Sequence, residues 1–270
     1  MPELPEVETV VRTLEHQIAG ARISSIDVRW PHVIEGMDPD VFCSKLTGQH
    51  FRTFSRRGKY LLFGMDDCWL IVHLRMEGKF YVQPDDTAKI NRHMHVIFHL
   101  NDGRQLRYHD TRKFGRMTLM PLDTDFSHFH NLGPEPFDPS FTPAYMHEWK
   151  KGRREPVKSL LLDQSFVAGI GNIYADEILA ASHIRPGRSC ARLTRKEEAQ
   201  IVENTKLILA QAIKAGGTTI RSYTSSLGVT GRFQLYCSVH DQKVCRVCGS
   251  AIKVKRIGGR SSYYCPQCQK

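Results

Sequence analysis

The chain has 270 residues, 41% of them hydrophobic, with 38 Lys or Arg against 28 Asp or Glu, a formal charge of +10. That length holds two modest domains or one large one with a real core, and no apolar run reaches the roughly 18 residues of a membrane span. The cationic balance, with a pI near 9.3, favours a polyanionic partner, either nucleic acid or an acidic membrane surface.

The start, Met1-Pro2-Glu3-Leu4-Pro5-Glu6, is acidic and proline-bearing. A signal peptide would be basic and then apolar, so the expected location is the cytosol. A Met-Pro start favours removal of the initiator methionine, which would leave Pro2 as a secondary amine able to form an iminium ion with an electrophilic carbon. N-terminal amines titrate near about 8, so part of the population is unprotonated at neutral pH. Glu3 beside it can act as general acid. Many chains begin Met-Pro, and the dipeptide alone decides nothing.

Pro5 to Ile18 reads as a helix, with Val7, Val10, Val11, Leu14 and Ile18 on one face. The period then changes to two at Ile26, Val28 and Trp30. Tyr60 to Phe63 and Trp69 to Leu74 flank Asp66-Asp67 as a hairpin. Val96, Phe98 and Leu100 alternate up to the turn Asn101-Asp102-Gly103, and Leu106 and Tyr108 follow. Five prolines between Pro121 and Pro143 mark a boundary. Beyond it Thr194 and Glu197 form a capping box before Ile201, Ile208 and Ala212, and Gly216-Gly217 ends that helix. The expected division is a β-rich domain at 1–132, a Pro-rich linker at 133–145, a helical domain at 146–230 and a cysteine-bearing hairpin at 231–270.

Cys245-x-x-Cys248 and Cys265-x-x-Cys268 offer four thiolates at the spacing of a tetrahedral zinc site. Ile252, Val254 and Ile257, then Tyr263 and Tyr264, supply two short strands around Gly258-Gly259. The remaining cysteines, Cys43, Cys68, Cys190 and Cys237, are scattered and read as reduced structural thiols. Residues 231–270 hold eight Lys or Arg and one Asp, a net of +7, which four thiolates and one Zn²⁺ reduce to +5. Arg52, Arg56, Arg57 and Lys59 form a second basic cluster, and Lys150, Lys151, Arg153, Arg154 and Lys158 a third. Together they point to phosphate binding.

Met1-Pro-Glu-Leu-Pro-Glu-Val-Glu-Thr-Val10, Arg57-Gly-Lys-Tyr60, His73-Leu-Arg-Met-Glu-Gly78, Asp110-Thr-Arg-Lys-Phe-Gly115, Leu132-Gly-Pro-Glu-Pro136, Gly169-Ile-Gly-Asn-Ile-Tyr-Ala175 and the four cysteines occur in this order. Together they closely resemble the bacterial formamidopyrimidine-DNA glycosylase family over essentially the full length. The resemblance implies an α+β fold: an N-terminal β-sandwich with a leading helix, then a helix–two-turn–helix domain with a zinc-ribbon hairpin. It implies a DNA glycosylase and AP lyase for oxidised purines, with one structural Zn²⁺, acting as a monomer on duplex DNA in the bacterial cytoplasm.

In that family frame Pro2 resembles the nucleophile, and Glu3 the acid that protonates the sugar ring oxygen. Lys59 resembles a general acid in base release and β-elimination. Arg260 resembles the arginine that grips phosphate and acts in δ-elimination. Met76, Arg112 and Phe114 match the residues that fill the gap left by a flipped base, with Arg112 bonding the orphaned cytosine. His93, Arg112, Arg154 and Asn172 correspond to DNA contacts, and Lys158 is read as a further phosphate contact. Residues 217–231 correspond to a loop that covers the flipped base. Ser238-Val239-His240-Asp241 replaces an aromatic-glycine pair usual in the family. Ser261 stands where a second glycine is usual and fits if its φ is negative. Two alternatives remain: an endonuclease VIII-like enzyme for oxidised pyrimidines, against which Leu4 and the Met76, Arg112, Phe114 set argue, and a non-catalytic zinc-ribbon DNA-binding relative.

Overall fold

Val7, Val10, Val11, Leu14 and Ile18 recur at three- and four-residue steps, and all five are buried along one side of helix α1 (Leu4–Ile18). The helix starts one residue before the expected Pro5. Glu3 is its N-cap, in a capping-box arrangement with Glu6. The computed structural model describes residues 1–127, 129–218 and 231–270. These fall into two compact units, Met1–Phe126 with Gly216–Gly231, and Ser127–Ala215 with Arg232–Lys270.

In the first unit α1 is followed by β1 (Ile23–Val28), α2 (Pro39–Leu46), β2 (Thr53–Arg57), β3 (Tyr60–Gly64), β4 (Cys68–His73), β5 (Lys79–Gln83), β6 (Met94–Leu100), β7 (Gln105–His109) and β8 (Arg116–Pro121). The strands make two four-stranded antiparallel sheets, β1-β6-β7-β5 and β2-β3-β4-β8. Residues two apart point to the same face. Val96, Phe98 and Leu100 of one sheet and Leu61 and Phe63 of the other therefore enter one core with the apolar side of α1. Both expected hairpins form, at Asp66-Asp67 and at Asn101-Asp102-Gly103.

In the second unit α3 (Pro143–Trp149), α4 (Val157–Leu162), α5 (Asn172–Ala181) and α6 (Arg195–Lys214) precede the hairpin of β9 (Lys253–Ile257) and β10 (Arg260–Tyr264). The Thr194–Glu197 capping box is present at the head of α6. Gly258 and Gly259, at φ 54° and 76°, form the two-residue turn of the hairpin, a conformation that costs glycine little. Ser261 lies outside the left-handed region. The fold is the α+β arrangement expected, a β-sandwich with a leading helix and a helical unit bearing a zinc hairpin. Among the described residues no helix is long and apolar enough to cross a membrane.

The basic clusters need correction. In the second, Arg52 pairs with Asp66 and Arg56 with Glu8, while Arg57 donates to the Phe126 carbonyl. The turn acids therefore do more than end strands. Asp66 binds His50 and Arg52, and these contacts hold its carboxyl down at about 2. In the third cluster Lys150 is buried against Glu198, Lys151 pairs with Glu148, and Arg153 reaches Glu155. Lys158 is fully buried. Arg154 is exposed and makes no ion pair among the described residues. Adjacency in sequence had suggested cationic faces, but the fold hands most of these charges to acids.

Candidate active site

Pro2 and Glu3 are buried at the head of α1. Glu3 is held by Glu6, one turn along and fully buried. Its Oε2 accepts the Glu3 amide at 2.9 Å, and its Oε1 accepts the Thr218 amide at 2.8 Å and the Thr218 hydroxyl at 3.1 Å. One carboxylate thus ties the start of the chain to a segment 212 residues away. The residues around Gly217 are correspondingly tight: a Cβ there would stand 2.7 Å from Glu6 Oε1. The expected base-covering loop 217–231 lies mostly at 219–230, outside the described residues.

Lys59 is buried in the two-residue turn joining β2 to β3, after Gly58 at φ 56°. α1 lies against both strands. The contact is specific: Arg56 Nε donates to Glu8 Oε2 at 3.1 Å, and Arg56 Nη1 donates to the Gly58 carbonyl at 3.1 Å. Burial pushes the Glu8 carboxyl up, but the guanidinium groups of Arg56 and Arg12 outweigh it and keep Glu8 below its ordinary value. Sequence reading assigned no role to Glu6 or Glu8, though both lie within the Met1–Val10 motif, and it placed Arg56 in a phosphate-binding cluster rather than on Glu8.

The two loops expected to meet a duplex belong to the same unit. Met76 is half-buried in the turn between β4 and β5, while Arg112 and Phe114 lie between β7 and β8. Phe114 is 47% exposed, too open for a core residue. The Arg112 guanidinium sits over its ring, 4.7 Å from the centroid. His93 is half-buried beside His109, with ring centroids 5.6 Å apart.

In the second unit Lys158 corrects the sequence reading. Its Nζ lies 2.7 Å from Asp176 Oδ1 and donates to the Ser261 carbonyl at 3.0 Å. A fully buried ammonium so engaged is a support for the hairpin rather than a surface contact for phosphate. Asn172, at the head of α5, donates through Nδ2 to the same Ser261 carbonyl at 3.0 Å. The residue after Arg260 is therefore fixed from two helices, while Arg260 itself is exposed. The loop before α5 is closed by Gln164, which accepts the Gly169 amide and donates to the Leu162 and Ile170 carbonyls. The Gly169 amide is thus already committed within the protein.

The departure at Ser238-Val239-His240 has a structural answer. All three backbone amides donate to the Glu177 carboxylate, at 2.6, 3.0 and 2.7 Å. The His240 ring meets Asp176 Oδ2 at 2.8 Å, and that oxygen also accepts the Tyr263 amide. Burial leaves the Glu177 carboxyl above its usual range, even against these three amide donors. α5 therefore grips both sides of the zinc hairpin through two adjacent acids.

The sulfur atoms of Cys245, Cys248, Cys265 and Cys268 all lie within 4.8 Å of one another. Sγ separations of 3.8 Å for Cys245–Cys268 and 3.5 Å for Cys248–Cys265 fit a tetrahedron of about 2.3 Å Zn–S bonds, whose edge is about 3.8 Å. The donor set suits one structural Zn²⁺ with no ligand position left for chemistry. The scattered thiols differ. Burial, then nearby acids, raises Cys43 and Cys190, and brings Cys68 to about 11, so all three stay protonated.

Three family models match the chain: the formamidopyrimidine-DNA glycosylase N-terminal domain at residues 1–117, the H2TH domain of the same enzyme at 132–224, and a zinc finger found in FPG and IleRS at 242–270. The formamidopyrimidine-DNA glycosylase of Oceanobacillus iheyensis is 46% identical, covering 100% of this chain and 98% of that protein. Among solved structures, Lactococcus lactis Fpg in complex with abasic-site DNA superposes with a TM-score of 0.93 at 37% identity, covering 99% of each chain. The wild-type enzyme of the same organism, bound to DNA containing a benzylated Fapy-dG, gives 0.93 at 38% identity over 100% of each. With all three models in sequence order and near-half identity along its whole length, this chain belongs to the formamidopyrimidine-DNA glycosylase family.

Proposed function

We propose that the chain is a bifunctional DNA glycosylase and AP lyase of base excision repair, removing 8-oxoguanine and formamidopyrimidines from duplex DNA. It acts as a monomer in the bacterial cytoplasm, associated with the nucleoid through DNA binding. After loss of Met1 the Pro2 nitrogen attacks C1′ of the flipped nucleotide, and the bond from C1′ to the damaged base breaks with its electron pair leaving on the base. Glu3 protonates the sugar ring oxygen, which opens the ring and yields the iminium ion. Lys59 supplies a proton to the departing base. The iminium acidifies the C2′ proton, whose loss expels the 3′ phosphate. A second elimination, with Arg260 on the phosphate, expels the 5′ phosphate and leaves a one-nucleotide gap. His93, Arg112, Arg154 and Asn172 hold the DNA, and Met76, Arg112 and Phe114 occupy the vacated space. Zn²⁺ on Cys245, Cys248, Cys265 and Cys268 maintains the hairpin that presents Arg260.

The observation that carries this reading is the buried Pro2-Glu3 head of α1, secured by Glu6 within a family whose relatives are named for the activity. Borohydride should trap a covalent complex between the demethionylated protein and a duplex containing 8-oxoguanine opposite cytosine, with the adduct mapping to Pro2. Protein with N-terminal proline verified by mass that never traps, or an adduct on another residue, would overturn it. Glu3→Gln should keep lesion binding and lose base excision by about a hundredfold or more, the range for a positioned general acid.

A further inference from the structure

Asp110 is completely buried, and the reaction above gives its carboxylate no role. Its Oδ1 accepts the Arg112 amide at 2.9 Å. Its Oδ2 accepts the amides of Phe114 and Gly115, both at 2.9 Å, and the Tyr108 hydroxyl at 3.4 Å. The Asp110 carbonyl accepts a hydrogen bond from buried His95 Nε2 at 2.7 Å. The segment from 111 to 115, with Lys113 at φ 59°, is thus wound around one carboxylate.

Tyr108 extends this arrangement to the other loop. Burial and then the charge of Asp110 hold its hydroxyl well above its usual range, so it remains a donor. A Cβ on Gly78 would lie 2.5 Å from that hydroxyl and 2.6 Å from the Leu74 carbonyl. A Cβ on Gly115 would overlap the same hydroxyl. Both glycines are needed for space, since neither has positive φ. Across the top, the Thr111 hydroxyl donates to Glu77. The turn that carries Met76 and the loop that carries Arg112 and Phe114 therefore close on one hydroxyl–carboxylate pair.

We infer that Asp110 and Tyr108 are a positioning pair that presets Met76, Arg112 and Phe114 as one constellation, and so set how strictly the protein reads the base opposite the lesion. The inference rests on the proposed entry of those three residues into the duplex. An exposed loop with no core of its own loses backbone entropy at every residue when it orders. Three amides bound to a buried carboxylate place that cost in folding rather than in DNA binding.

The test uses full-length, zinc-loaded protein and the ratio of single-turnover excision of 8-oxoguanine opposite cytosine to that opposite adenine. A general loss of activity cancels in this ratio. In Asp110→Asn, whichever way the amide turns, an N–H₂ faces backbone N–H donors. The ratio should fall by about fivefold or more, the lower end of what loss of a bidentate base contact costs. Tyr108→Phe should move it the same way by less, and Arg112→Ala serves as the reference. If Arg112→Ala lowers the ratio while both other variants leave it unchanged, the positioning pair is refuted. If Arg112→Ala also leaves it unchanged, the proposed contact of Arg112 is wrong and this inference falls with it. Should Asp110→Asn fail to fold, Tyr108→Phe decides alone.

Discussion

Glu6 is closed off from water, and its carboxylate accepts from the Glu3 amide and from both the amide and the hydroxyl of Thr218. Glu6→Gln would turn an N–H₂ toward at least one of these donors. An unsatisfied buried group costs about 1–3 kcal/mol, and urea denaturation should read a loss of that size. In sequence Glu6 looks like an ordinary first-turn acid of a helix, because its decisive partner is Thr218. The histidines make a second case. Burial lowers both His95 and His109, and His109 is lowered further by His93 and Lys79 nearby. A histidine lowered in the folded state stabilises fully above its unfolded value of about 6.5, and that stability is lost as pH falls through the folded one. Melting temperature should therefore drop between about pH 7 and 5. His95→Gln keeps a donor for the Asp110 carbonyl but cannot titrate, so its drop should be shallower. Equal slopes would remove His95 from the pH response.

Elements whose pattern is local were legible in the sequence. α1, the two hairpins, the Thr194 cap and the zinc knuckles are each specified by residues within one short window. The supports between elements were not, and Lys158 is the clearest instance. It sits in a run of basic residues, yet Asp176 on α5 and Ser261 on β10 take its ammonium. Lys158→Met would strand a buried carboxylate, with an expected loss of about 3–5 kcal/mol in chemical denaturation. Adding Asp176→Asn should recover part of that loss, because the uncompensated charge is gone. No recovery would mean that the contact with Ser261, and not the ion pair, carries the effect. Most proposed reacting groups, Pro2, Glu3, Lys59 and Arg260, could be named from motifs. The residues that support them, Glu6, Arg56 and Asp176, became visible only from the fold, since each has a partner on another element.

For the whole molecule the count of 38 Lys and Arg overstates the cations available to DNA, because Arg52, Arg56, Lys150 and Lys158 are paired internally, while the net charge of +10 already allows for such pairs. Lys253, Lys255, Arg256 and Arg260 on the zinc hairpin stay exposed. Lesion affinity should still fall steeply with salt. Replacing Arg154 with Ala should flatten the slope of log K against log salt by about one, while Lys158→Met should leave that slope unchanged. A wild-type affinity indifferent to salt would discount phosphate contacts altogether. Chelation of zinc should abolish binding, because the hairpin is held by metal. Full affinity after verified metal loss would remove the hairpin from the interface.

The first unit is discontinuous in the chain, and this decides how the molecule can be dissected. A fragment stopping at Phe126 would take Glu6 away from Thr218, so it should be poorly folded however complete its strands. The second unit is interrupted too, but the Arg232 amide already donates to the Ala215 carbonyl at 3.0 Å. Splicing those two residues directly, with 216–231 deleted and the chain begun at Ser127, should yield a self-standing, zinc-binding miniprotein with native helix content by circular dichroism.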